Sequence, residues 1–161
     1  MFRIYQAFAR AEMHPEFDRA SKEQCYRLLF SMCAPLAVFG VVFRETKELP
    51  PADEMMQSYR KVLGMWKRGE KLPGEVPEHR NHKPTGGAAI LEYLQEEIKY
   101  YDWFLAPDMV NRIALGYLDV AWACEKWKRE KNEFPADAVI WRMVDLKFLD
   151  AMLCRGEEVV V

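Results

Sequence analysis

The sequence predicts an all-α protein: one multihelix globule of about six or seven helices with a single long irregular loop. Three observations point there. Apolar residues recur at spacings of three and four through most of the chain. The 161 residues are 50% apolar and 30% charged, an ordinary globular balance and enough chain for one core. No stretch alternates with period two beside a second that could pair with it.

Taken from the N-terminus, Phe2, Tyr5, Phe8 and Ala9 suggest a short helix, and Ser21-x-x-Gln24 resembles a capping box opening a longer one through Met32. Pro35 then kinks that helix or starts another. From Leu28 to Phe43 the chain reads LLFSMCAPLAVFGVVF, without a charge between Arg27 and Arg44. The run falls short of the roughly 20 residues a span requires, and Pro35 and Gly40 interrupt it, so a core helix is expected and no membrane. AVFGVVF has the β-branched and aromatic density of a strand, but a lone strand leaves its backbone unpaired.

Ala52 to Trp66 is the clearest amphipathic helix, with Met55, Met56, Tyr59, Val62, Leu63 and Trp66 on one stripe after Pro50-Pro51 and before Gly69. The long loop follows, from about Gly69 to Gly87. Leu91, Leu94, Ile98, Tyr101 and Leu105 then repeat the stripe, with Glu92, Glu96 and Lys99 opposite. Asp108 to Lys131 carries Met109, Ile113, Tyr117, Val120, Cys124 and Trp127, widened by Val110, Ala114, Leu118 and Ala121, so this helix is central. The last helix is expected from Pro135 to Arg155-Gly156, burying Ile140, Val144, Phe148 and Ala151 beside Val139, Met143 and Met152. The tail after Gly156, ending in three valines, reads as flexible, or as an extended segment able to join a partner.

The loop GEVPEHRNHKPTGG is the first candidate for chemistry. His79 and His82 beside Glu78 offer imidazole and carboxylate ligands. No H-E-x-x-H or C-x-x-C pattern supplies the rest of a metal site, so no metal or cofactor is expected. Arg80 and Lys83 ahead of Thr85-Gly86-Gly87 would suit an anion at a helix N-terminus, but the P-loop pattern is absent and Thr85 reads equally well as a helix cap. A metal-dependent or phosphate-handling enzyme centred on this loop is therefore the second reading, and a polar connector explains the same residues.

Cys25, Cys33, Cys124 and Cys154 sit in apolar stretches without metal or disulfide spacing, which suits reduced thiols and a cytoplasmic setting. The opening residues lack the continuous apolar core of a secretory signal. Serines and threonines form no nucleophile elbow, and the pairs Glu96/Glu97 and Asp145/Asp150 fall on expected solvated faces, so an enzyme is not favoured.

A net charge of −2 exerts no global pull on nucleic acid. Local mixtures do occur: Trp122, Lys126, Trp127, Lys128, Arg129 and Lys131 close one helix, and Trp66, Lys67, Arg68 and Lys71 close another. If the two ends converged they would make a basic, aromatic patch for phosphates and bases; cations at helix C-termini have a structural cause already.

Five Trp, seven Tyr and nine Phe are many for a small helical core. Tyr100 and Trp103 fall on the side of Glu92, Glu96 and Lys99, and Trp122 and Trp141 also lie off the main stripes. Exposed Tyr and Trp dominate protein interfaces, although a covering helix would hide them. The reading favoured by the sequence is a small cytoplasmic protein that binds another protein, or itself, through Tyr100, Trp103, Trp122, Trp127, Lys128 and Arg129. Inhibitors, immunity proteins, adaptors and phage or mobile-element counter-defence proteins are of this kind.

Overall fold

The computed structural model describes residues 22–71 and 83–155, with side chains from Arg27 onward. The described residues are all-helical, in five helices: α1 (Lys22–Thr46), α2 (Ala52–Lys67), α3 (Gly87–Phe104), α4 (Pro107–Lys131) and α5 (Asp137–Met152). The helix expected near Phe2, the Ser21 capping box, most of the loop and the C-terminal tail lie outside the described residues.

α1 runs unbroken through Pro35, so no second helix starts there and AVFGVVF is helical, not a strand. Leu28, Ala34, Val38, Phe39 and Val42 are buried at helical spacing, and that packing offsets the backbone hydrogen bond which proline cannot make. Arg27–Thr46 is long and apolar enough by length and composition to cross a membrane, and 39% of it is buried against the other helices. Lys47, at φ 62°, ends the helix in the left-handed region, and Thr46 Oγ1 donates to Val42 O at 2.7 Å.

α2 buries part of its apolar stripe, with Met55, Tyr59 and Trp66 packed half-buried against the core, and turns a polar edge inward beside it. Glu54, Ser58 and Val62 are buried, whereas Met56 is exposed. The reason lies in the corner joining α3 to α4, where Leu105 and Ala106 are fully buried and the first backbone donors of α4 need acceptors. Ser58 Oγ donates to Glu54 O at 3.1 Å and accepts from the Ala106 N–H at 2.9 Å. Ser58→Ala leaves that buried N–H without an acceptor and is expected to cost about 1–3 kcal/mol, read as a lower denaturant midpoint with an unchanged m-value.

α3 and α4 form an antiparallel hairpin, with Pro107 at the first turn of α4. α5 packs back along α4 in the most extensive helix pair, while α1 lies mainly on α2. α3 does not begin on a Thr85 cap. Its N-cap is Gly86 at φ 91°, and the Gly86 N–H donates to Asp137 Oδ2 of α5 at 3.0 Å. Gly87 follows because the Phe134 ring occupies the space of a side chain: a Cβ there would meet Phe134 Cγ at 2.4 Å. Asn132, left-handed at φ 59°, closes α4. α5 starts at Asp137 rather than Pro135 and ends at Met152, with Cys154 at φ 54° in the left-handed position expected of Gly156.

One hydrophobic cluster draws on all five helices, including Leu28 and Val42 of α1, Val62 of α2, Ile90 and Phe104 of α3, Met109 and Ile113 of α4, and Ile140 and Met152 of α5. α4 contributes to it from Met109 to Cys124 along its first apolar set; of the second set Val110 is buried, but Ala114 and Ala121 are half-buried and Leu118 is exposed.

Candidate functional site

The helices separate the aromatic residues that the sequence groups together. Tyr100 is buried at 8% exposure, its ring edge-on to Phe104 at 4.9 Å, so it is a core residue and not part of a binding surface. The expected stripe assigned one inward face to α3, but neighbours pack on two sides and bury Tyr100 as well as Tyr101. Trp103 is exposed at the α3–α4 corner. α4 rises about 22 Å from Pro107 to Trp122 at 1.5 Å per residue, which carries Trp122 well away from the corner where Trp103 stands.

The most exposed large apolar residues of α4 do share one. Leu115 (63% exposed), Leu118 (60%) and Trp122 (73%) lie at i, i+3 and i+7 and so on one face. Arg129 continues the row seven residues beyond Trp122. Trp127, five residues on and about 140° around the helix, is exposed but faces elsewhere. Beside the row, Leu91, Leu94 and Ile98 of α3 and Ala114, Leu118 and Ala121 of α4 line a groove of about 790 Å³, with Glu92, Lys99, Glu125 and Lys128 among its charged lining. Lys128 Nζ stands 4.6 Å from the Phe134 ring centroid.

The two basic, aromatic helix ends do not converge. Lys61 Nζ donates to Asp102 O and, at 3.3 Å, to Leu105 O, which anchors the second half of α2 at the α3–α4 corner. Lys128 lies about 35 Å along α4 from that corner. Glu78, His79, Arg80 and His82 fall outside the described residues. Among those described, no three His, Cys, Asp or Glu side chains are arranged to hold a metal ion. Asp137 brings a carboxylate to the N-terminus of α3, the place where an anion was considered.

Among the described residues, two acids are buried. Glu97 (9% exposed) accepts from Tyr101 Oη through Oε1 and from Tyr117 Oη through Oε2, each at 2.9 Å. It lines a cavity of about 240 Å³ together with Val38, Tyr93, Tyr101, Tyr117, Trp141 and Phe148. Glu54 (8% exposed) receives Arg112 end-on, Nη1 to Oε1 at 2.9 Å and Nη2 to Oε2 at 2.5 Å, while Arg112 Nε donates to Ala151 O at 2.8 Å. One guanidinium thus ties α2, α4 and α5 together, and its hydrogen bonds to Glu54 raise its pKa above the usual value.

No family model, no curated protein and no solved structure matches the chain.

Among the described residues, the thiols of Cys33, Cys124 and Cys154 are not set up as nucleophiles. Burial raises the pKa of both Cys33 and Cys124. Desolvation also raises that of Cys154, with Arg112 opposing it, and its Sγ lies 4.0 Å from both Glu54 oxygens. A thiol held protonated beside a carboxylate is a weak donor, not an attacking group.

Sequence reasoning placed Glu97 on a solvated face and did not single out Glu54 or Arg112. A signal for Glu97 was present: it sits three residues after Leu94 and four before Tyr101, inside the apolar stripe. For Glu54 there was none, because its burial depends on Arg112, 58 residues away.

Proposed function

We propose that the protein works by binding another protein through the outward face of α4, taking an amphipathic helix against Leu115, Leu118 and Trp122. The observation that carries this reading is the row itself: three large apolar side chains, each at least 60% exposed, in register on one helix face. A tryptophan so exposed costs free energy unless something covers it, and interface hot spots are enriched in tryptophan. The adjacent groove favours a helical occupant, whose own apolar ridge lies between α3 and α4. Lys126, Lys128, Arg129 and Lys131, against Glu125 and Glu130, leave the C-terminal end of α4 positive, which favours an acidic flank on the partner.

The test compares the tagged protein with Trp122→Ala and Leu118→Ser in quantitative capture, with a photo-crosslinking residue at Leu115. A stoichiometric protein that crosslinks from position 115 and is recovered at least about tenfold less with Trp122→Ala is the expected result. The free energy of unfolding stays within about 0.5 kcal/mol of wild type, since the side chain is exposed. Undiminished recovery of the same protein by both variants removes this face from the interface. A dimer in light scattering that Trp122→Ala dissociates makes the occupant a second copy of the chain.

A further inference from the structure

The cavity around Glu97 lies away from the α4 row, and its chemistry is different. Five aromatic side chains line it: Tyr93 and Tyr101 from α3, Tyr117 from α4, and Trp141 and Phe148 from α5. Tyr93 stands edge-on to Trp141, with centroids 5.8 Å apart and planes at 75°, so the two rings form adjoining walls. Phe148 stacks on Tyr101 at 5.5 Å. The charged lining is Glu97 and Asp145, two carboxylates, against Lys83 alone. Each oxygen of Glu97 accepts a tyrosine hydroxyl, which fixes the carboxyl group in the cavity wall.

An apolar ligand would need the rings but not the acids; an inorganic cation would need oxygen ligands and not the rings. Rings and acids together suit a cation with an apolar skin, attracted by the π-faces and by a carboxylate in a site of reduced dielectric. The chain itself demonstrates the preference, for Lys83 Nζ rests 5.0 Å from the centroid of Trp141, within cation–π distance. We infer that this cavity binds an organic ammonium ion, with Trp141 and Tyr93 as its aromatic walls, Glu97 as its counter-ion and the Lys83 ammonium as an internal competitor.

Choline and its neutral isostere 3,3-dimethylbutan-1-ol, titrated calorimetrically into the full chain, separate a cation site from a plain apolar hole. The expected result is saturable binding of choline, about tenfold or more tighter than the alcohol. Glu97→Gln, which keeps the side chain's shape, and Trp141→Leu each weaken choline about tenfold, whereas Lys83→Ala tightens it by vacating the Trp141 face. Nα-acetyl-Nε-trimethyllysine amide, measured in parallel, distinguishes the source of the ammonium: tighter binding than choline points to a modified lysine side chain, weaker binding to a free small molecule. Equal affinity for choline and the alcohol, no saturable heat, or full choline affinity in a folded Glu97→Gln variant overturns the inference.

Discussion

Arg112→Met is expected to lower the free energy of unfolding by about 3 kcal/mol, the lower end of what breaking a buried ion pair costs, because the Arg112 side chain keeps 27% of its exposure. The loss is not that of a surface salt bridge. The Glu54 carboxylate, 8% exposed, loses both donors at once, and Ala151 O loses the Nε–H that ties α5 to α4. Removing the acid instead costs less, since the arginine freed by Glu54→Leu retains a path to water. The double variant Glu54→Leu/Arg112→Met carries no orphaned charge, so it unfolds at a higher denaturant concentration than Arg112→Met alone. Chemical denaturation of the four proteins provides the cycle. A double variant no more stable than Arg112→Met would show that the orphaned carboxylate is not the source of the loss.

Phe104→Ala is expected to cost about 3–5 kcal/mol, the range for truncating a fully buried aromatic ring. Phe104 is the largest side chain among the described residues that are essentially without exposure, at 1%. Tyr100 and Tyr101 meet its ring edge-on at 4.9 and 6.2 Å, and the adjoining corner residues Leu105 and Ala106 are fully buried, so little can collapse into the space left behind. Phe104→Leu keeps most of the volume and is expected to lose less than half as much. Thermal and denaturant unfolding of both variants reads the difference; near-equal losses would mean that ring volume is not what this corner requires.

These two residues also mark how far a linear reading extends. The helix beginning at Ala52 is observed where the sequence predicts it, and the helix ending at Lys131 likewise. The signals for both are local: proline before the first turn, period 3.6 within, and a left-handed residue or basic turn at the end. On α2 the stripe reaches the core through Val62, Met55, Tyr59 and Trp66, but the burial of Glu54 and Ser58 beside it is not legible in the sequence, where two polar residues read as solvated. Burial of those two polar residues depends on Arg112 and on the Ala106 N–H, both distant in sequence. The binding surface divides the same way. That Trp122 lies off the core is legible from its position, whereas Trp127, on the expected apolar stripe of α4, is exposed, and Tyr100 required knowledge of which helix lies against it.

By itself the sequence determined the helical class and the places where α2, α3 and α4 begin and end, because hydrogen bonding within a helix, capping and periodic burial act over only a few residues. Tertiary structure alone decided that α1 continues through Pro35, that Glu54 and Glu97 are inside, and that Tyr100 is covered while Trp122 stays exposed. Those outcomes depend on free energies between residues tens of positions apart: a buried charge is stable only where its partner arrives, and an exposed ring stays exposed only where no second helix packs over it.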